Sequence, residues 1–550
     1  MATNASNEPS RPIPSRSEEG GTVRAITYLT PKTCTTRARV AVPPTKVIPV
    51  IVVPGIMGSN LRARMDGKPR NEKLKPGERA WRPPNGISAG LSEAKVWKAR
   101  DGAARQQILN GPTLEVDNTG EIAIKADGDG RAITVDLARE RGWGEIHSDS
   151  YGELLSTLHI YLNSTFRAVY NRCDVADHWT HVNLFDRAKW GTTRNGVAAP
   201  LTDEELARFA EYHYPVYACG YNWLESNEIS AKRLEERIEN IIGFWGKAGC
   251  KCDQVILVTH SMGGLVARAC AKRTPSMIKG IIHGVLPALG APACYRRIAC
   301  GTESFSPSNG TIENKKAEAI SEIAGASAAE TTPVMAVAAG PLELLPNHLF
   351  PKPWLFASVR NGEGSWTDLL GLPEGNPYEL YRDVNSWYRL FDLSLADPIN
   401  RYGGAIGQRV ATTIRIAEKF HTEILGDYYH PNTFAFYCDD PAFLSYGSCR
   451  WLSISSSSNL RNSDFRKARF LEQGLTGVRT IEFADGRTAA LKIGLQDAAG
   501  DGTVPAASGS GPEAKVKYLF RVRGFDHQGS YNAESMLKLT LHLIVRLVTA

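Results

Sequence analysis

Residues 255–268, Val-Ile-Leu-Val-Thr-His-Ser-Met-Gly-Gly-Leu-Val-Ala-Arg, constrain the fold more than any other stretch of this 550-residue chain. A β-branched and leucine run turns through His260-Ser261-Met262-Gly263-Gly264 and leaves on an apolar helical pattern. A strand that enters a helix through so tight a corner projects one side chain clear of the backbone, and here that side chain is a serine. The usual form is Gly-x-Ser-x-Gly, because residues two before and two after the serine approach closely. Gly263 and Gly264 supply that approach. Thr259 stands where the first glycine is usual, and it is short enough to fit.

The flanking pattern predicts the sheet around this corner. Residues 47–53 are a near-continuous apolar run, as in a parallel strand buried on both faces. Further strands are expected at 216–223 and 279–286, and helices at 151–167 and 230–247, the latter with Leu234, Ile238 and Ile242 on one face. Alternation of strand and helix predicts an α/β protein with a mostly parallel sheet. With the serine corner, the expected architecture is an α/β-hydrolase fold, a central sheet flanked by helices, with large insertions forming a cap.

Residues 1–20, rich in Ser, Pro and Glu, read as a disordered tail. The rest, 21–550, reads as one decorated domain. Its insertions are 62–140, with a hairpin at Asp127-Gly-Asp-Gly130, and a cap at 293–430 with a helix near 312–328. The sheet is expected to resume at 433–437 and in the hairpin around Asp485-Gly486, and the last helix to span 533–548.

A serine hydroxyl needs a base, and the base needs an acid to orient it. In this fold the acid and then the histidine follow the serine in the chain. His527 lies in a loop after the expected strand 516–522 and before the last helix. Asp501, in Gly500-Asp501-Gly502, is the expected acid, placed after a strand at 489–495; Asp526 and Asp497 are the alternatives. His260 is expected to point away beside the turn and His283 to be a core histidine. His178-Trp-Thr-His181 reads as structural. Two backbone N–H groups must face the developing oxyanion. Met262 is one expected donor; Ile56, in Pro54-Gly55-Ile56-Met57-Gly58, is the other, with Met57 as its fallback.

The totals exclude some roles. With 64 basic and 58 acidic residues the formal charge is +6, mild for this length, so no nucleic-acid partner is expected, while weak attraction to an anionic lipid surface remains open. The N-terminal residues lack a basic start followed by an apolar run, so no Sec signal is expected. No stretch reaches the ~18 uncharged apolar residues of a membrane span. The chain is therefore expected to be made soluble in the cytoplasm. Ten cysteines are sparse; free thiols are expected, with Cys294 and Cys300 left open as a bridge. Serine chemistry requires no metal or cofactor, and neither 127–130 nor 497–501 carries a full calcium-loop pattern.

Several segments together resemble the lecithin:cholesterol acyltransferase-like branch of α/β-hydrolases: Val53-Pro-Gly-Ile-Met-Gly-Ser-Asn-Leu61, Arg141-Gly-Trp-Gly144 with Tyr151, Tyr221-Asn-Trp223, His260-Ser-Met-Gly-Gly264, Pro341-Leu-Glu-Leu-Leu-Pro346, Gly500-Asp-Gly-Thr-Val-Pro505 and His527. The resemblance spans residues 47–545 and implies lipid ester chemistry through an acyl-serine, on a peripheral membrane surface. Tyr221-Asn-Trp-Leu224 departs from it, with Asn and Leu where relatives often carry Asp and Arg. A heavily decorated chain without a signal is also similar to bacterial type VI secretion lipase effectors. That likeness implies signal-independent export and a secretion-machinery or immunity-protein partner. The expected function is a serine lipase or phospholipase of type A. The alternatives are a lipid acyltransferase, a short-chain carboxylesterase, and a non-catalytic lipid- or partner-binding protein. Phe350, Trp354, Leu355, Phe356, Trp366, Leu369 and Leu370 are the expected acyl-groove or interfacial residues, and Met57 joins Trp354, Phe356 and Trp366 as a substrate contact.

Overall fold

A computed structural model describes the chain except residues 1–9, 14, 18–22, 26–30, 34–36, 41–42, 127–131, 170–171, 195, 361–364, 455–460, 475–476 and 550. Six parallel strands build the central sheet: β1 (Val50–Val53), β2 (Val216–Ala218), β3 (Val255–His260), β4 (Ile278–Gly284), β5 (Thr433–Cys438) and β6 (Tyr518–Val522). Their order across the sheet is β2-β1-β3-β4-β5-β6, and every pairing is parallel. This is an α/β-hydrolase fold.

The continuous apolar runs follow from burial on both faces. In β1, Ile51 and Val53 join one core cluster while Val50 and Val52 join the other. β3 divides likewise, Val255 and Leu257 to one side, Ile256 and Val258 to the other. Helices Asn227–Lys247 and Gly263–Arg273 cover the first face with Leu234, Ile238, Leu265 and Val266. Helices Ser148–Leu162 and Glu534–Thr549 cover the second with Leu154, Leu158, Leu541 and Ile544.

The apolar run at 47–53 does not form one strand. Pro49 has no N–H for the ladder, so the run splits into Lys46–Val47, which pairs with Tyr212–His213, and β1. Within the expected tail, Ser10–Ile13 pairs with Arg37–Val40 and Ser15–Ser17 with Val23–Ala25. Those residues are extended rather than coil, because pairing satisfies backbone groups that composition does not report. The hairpin expected at 127–130 lies outside the described residues. The 62–140 region holds strands Leu61–Ala63, Arg79–Trp81 and Leu114–Val116 in one small sheet, with helices Ile87–Lys98 and Gly102–Ile108.

A second six-stranded sheet extends past the expected insertion border at 430. Its order is Trp366–Leu372, Leu355–Arg360, Cys449–Ser453, Thr488–Ile493, Val478–Glu482 and Arg469–Gln473. The hairpin around Asp485-Gly486 therefore belongs here, not to the central sheet. This second module has its own core and draws on chain from both sides of β5.

Candidate active site

Four loops at the carboxyl edge of the central sheet carry the predicted residues, where ligands meet open α/β sheets. Ser261 follows β3 directly. Its N–H donates to Gly284 O at 2.9 Å, and its backbone sits at φ 51°, a left-handed conformation uncommon for a residue with a side chain. The turn closes only because its neighbours are glycines. A Cβ at Gly263 would lie 2.4 Å from Pro54 O, and one at Gly264 would lie 3.3 Å from Thr259 Oγ1. Ser261 is 4% exposed.

The structure brings Ser261, His527 and Asp501 together. His527 Nε2 lies 2.9 Å from Ser261 Oγ, and His527 Nδ1 lies 2.7 Å from Asp501 Oδ2. Asp501 is buried, and its other oxygen accepts the N–H groups of Thr503 at 2.9 Å and Val504 at 2.7 Å. That carboxylate can only accept, so Nδ1 carries its proton and Nε2 is left bare toward the serine hydroxyl. The His527 N–H also donates to Asp501 O at 2.7 Å.

The alternative acids are engaged elsewhere. Asp526 Oδ1 accepts the Gly529 N–H at 2.7 Å. Asp497 accepts the N–H groups of Gly447 and Ser448 and pairs with Arg450. Asp501 does not follow the strand expected at 489–495, which lies in the second sheet. It follows the short strand Ala498–Gly500, which pairs with Asp440–Ser445 just beyond β5 and so returns the carboxylate to the central edge.

The loop after β1 is held against this cluster from two sides. Tyr221 Oη donates to Pro54 O at 3.0 Å, and the Gly55 N–H donates to Tyr151 Oη at 2.9 Å. A Cβ at Gly55 would lie 3.0 Å from Ser261 Cβ, so only glycine allows the approach. Met57 sits at φ 61°, and its carbonyl accepts Trp81 Nε1–H at 2.8 Å. Met262 opens the helix Gly263–Arg273. Among the described residues the N–H groups of Ile56, Met57 and Met262 donate to no protein acceptor.

His260 does not point away from the site. Its ring lies between Tyr151 Oη, 2.9 Å from Nδ1, and His527 O, 2.9 Å from Nε2. The first partner lies more than a hundred residues earlier, so no local pattern reveals it. Burial pushes His260 down to about 3 and His283 likewise to about 3. His283 is a core residue whose Nδ1 pairs with Thr259 Oγ1 at 2.8 Å. His178 stacks on Tyr161.

The expected groove residues fall in different parts of the fold. Trp354 is buried at 1% exposure, enclosed by Tyr295 and Tyr381 in the core of the second module, so it lines no open groove. Phe356 is half-buried under the Arg450 guanidinium at 4.8 Å. Trp366 is 45% exposed on the edge strand Trp366–Leu372. Met57 is half-buried against the central core. Cys294 and Cys300 are free thiols; they sit on one helix, Pro292–Cys300, whose rise separates them. Among the described residues no group of three or more His, Cys, Asp or Glu could hold a metal ion, and no helix is long and apolar enough to cross a membrane.

The parallel sheet, the serine corner and the loops gathered at one edge define a hydrolase of the esterase and lipase type. A PGAP1-like alpha/beta domain matches residues 225–327, which contain the corner. Over nearly its whole length the chain is similar to a chain of the solved Tle4–Tli4 complex, at 28% identity and a TM-score of 0.73, covering 91% of this chain and 98% of that one. An extracellular alpha/beta-hydrolase from Paenibacillus species, described as sharing structural and functional homology with Tobacco Salicylic Acid Binding Protein 2, is 13% identical over 62% of this chain and 90% of that one. Its TM-score of 0.20 is too low to bear on the fold. Among curated proteins none matches.

Proposed function

We propose that the protein is a serine lipase or phospholipase that cleaves acyl esters of lipids through an acyl-serine. The observation that carries this is the continuous chain from Ser261 Oγ through His527 to Asp501 Oδ2, at 2.9 and 2.7 Å. Ser261 Oγ attacks the ester carbon as its proton passes to His527 Nε2. Asp501 stabilises the imidazolium and fixes its tautomer. The oxyanion falls to the N–H groups of Met262 and Ile56, with Met57 the alternative to Ile56. His527 gives its proton to the departing alcohol oxygen, then takes one from the water that attacks the acyl carbon and returns it to Ser261 Oγ as the acyl–oxygen bond breaks and the fatty acid leaves.

The choice of a lipid over a small ester rests on the resemblance of the segments around Ser261, Asp501 and His527 to lipid acyl-transferring hydrolases. Ser261 is only 4% exposed, so in this reading a long acyl chain enters only after neighbouring residues shift. The likeness to one chain of a two-protein complex supports a dedicated protein partner; delivery as a secreted effector and a peripheral stay at the membrane surface are part of the same proposal and rest on the sequence resemblance.

The test is hydrolysis of a p-nitrophenyl ester ladder and of phospholipid vesicles, with Ser261→Ala alongside and products read by mass spectrometry. Release of free fatty acid and lysophospholipid, abolished in the variant, is expected. Turnover confined to the shortest esters would make the protein a carboxylesterase. Acyl transfer to an added alcohol in preference to water would make it an acyltransferase. Undiminished turnover by Ser261→Ala would remove Ser261 from the chemistry.

A further inference from the structure

The chemistry proposed above needs two loops in register: 54–58, which carries an oxyanion donor, and the loop that carries His527. Nothing in that chemistry accounts for the histidine beside the nucleophile. His260 is 3% exposed and Tyr151 1% exposed, yet each polar atom on them has a partner.

The hydrogen-bond directions are fixed from both ends. The His527 carbonyl only accepts, so His260 Nε2 carries a proton and donates it across 2.9 Å. The neutral ring then offers bare Nδ1, to which Tyr151 Oη–H donates across 2.9 Å. The tyrosine oxygen in turn accepts the Gly55 N–H at 2.9 Å. The chain runs Gly55 N–H, Tyr151 Oη–H, His260 Nε2–H, His527 C=O, with every donor satisfied. The backbone of His527 is thereby held at both ends, its N–H by Asp501 O at 2.7 Å and its C=O by His260.

We propose that Tyr151 and His260 are positioning residues that lock the oxyanion loop to the loop of the general base. Neither touches the reacting atoms. Each acts through a neighbour: Tyr151 through Gly55, next to Ile56, and His260 through the main chain that sets where the His527 ring emerges. A neutral ring is also what the place requires. The two imidazoles lie 5.0 Å apart, and His527 becomes cationic as the serine attacks, so a second cation there would oppose the transition state. Burial, reinforced by His527, keeps His260 neutral.

This inference rests on the serine mechanism, and the experiment separates the two. Tyr151→Phe, His260→Gln, His260→Ala and the double variant Tyr151→Phe/His260→Gln are compared with wild type and Ser261→Ala. Readouts are kcat and KM on p-nitrophenyl butyrate, the rate of Ser261 phosphonylation by a fluorophosphonate, and Tm. A misplacement of order 1 Å costs about a hundredfold, so Tyr151→Phe is expected to lower kcat and phosphonylation by about tenfold to a hundredfold with KM unchanged. Gln keeps a donor toward the His527 carbonyl, so His260→Gln is expected to retain more activity than His260→Ala. Because the residues act as one chain, the double variant is expected to be no slower than the slower single. The inference is overturned by wild-type kcat in folded Tyr151→Phe, by a change confined to KM, or by singles whose effects multiply. If Tyr151→Phe does not fold, the Gln-to-Ala comparison at 260 decides: equal rates overturn it. An active Ser261→Ala would instead bring down the serine mechanism itself.

Discussion

Thr259 and His283 face one another in register across β3 and β4, with Thr259 Oγ1 2.8 Å from His283 Nδ1. This relationship explains how a threonine occupies a position where glycine is usual. The imidazole satisfies the hydroxyl, and Gly264, whose Cβ would lie 3.1 Å from His283 Nδ1 and 3.3 Å from Thr259 Oγ1, leaves room for the pair. Among the described residues His283 Nε2 has no hydrogen-bond partner. Thr259→Gly would orphan the second ring nitrogen and is expected to lower stability by about 1–3 kcal/mol. Urea unfolding should show the loss while kcat stays near wild type; unchanged stability would mean the pair is incidental.

Backbone strain at the nucleophile gives a second expectation. Ser261 holds φ 51° with a Cβ attached, a conformation that costs about 1–3 kcal/mol for most residues and little for glycine. Ser261→Gly is expected to be inactive yet more stable than both wild type and Ser261→Ala, with Tm rising by about 1 °C per kcal/mol recovered in a chain this long. Calorimetry of the three proteins checks the order, and a glycine variant that melts below the alanine variant would contradict it.

Asp501→Asn keeps an oxygen for the Thr503 and Val504 N–H groups but turns an amide toward His527 Nδ1. The ring would then carry its proton on Nε2 and could no longer accept from Ser261. A fall in kcat of about three to four orders of magnitude is expected, with the fold intact by circular dichroism. A loss below tenfold would point to another acid.

Glu343 provides a pH expectation. It is fully buried, its oxygens 2.6 Å from Ser226 Oγ and 2.7 Å from the Asn227 amide nitrogen at the start of helix Asn227–Lys247. Burial pushes its carboxyl up from the ordinary 4.5 to about 8. Between those values the folded chain holds a proton that the unfolded chain has released, so this group's contribution to stability falls as pH rises through that window. Glu343→Gln, which mimics the protonated form, is expected to flatten the decline. Melting curves at about pH 5 and about pH 9 should converge in the variant relative to wild type; an unchanged difference would assign the slope to other groups.

Much of the central sheet was legible because strands buried on both faces need apolar runs, as in Val216-Tyr-Ala-Cys219, Val255-Ile-Leu-Val258 and Ile281-Ile282. Ser261, Asp501 and His527 were legible because small residues and glycines mark loops that must approach closely. The second sheet was not. Residues 478–493 alternate as a half-buried hairpin should, but alternation does not say which sheet receives it. Trp354 misled for a related reason: a large ring suits an acyl groove and a module core equally well, and only its enclosing neighbours decide. The turn of His260 toward His527 depends on Tyr151, and a contact so distant in sequence leaves no periodic trace.

Leu355–Arg360 takes its parallel partner from Cys449–Ser453, roughly ninety residues later, with β5 emerging in between. During synthesis one flank of that early strand stays bare until the later segment leaves the ribosome. Non-local parallel pairing of this kind is slow and leaves an edge open to aggregation. Completion of the second sheet is therefore expected to be a late step of folding. A nascent chain stalled shortly after β5 would contain the serine but neither the acid nor the base, and would be inert while its most adhesive edge is exposed.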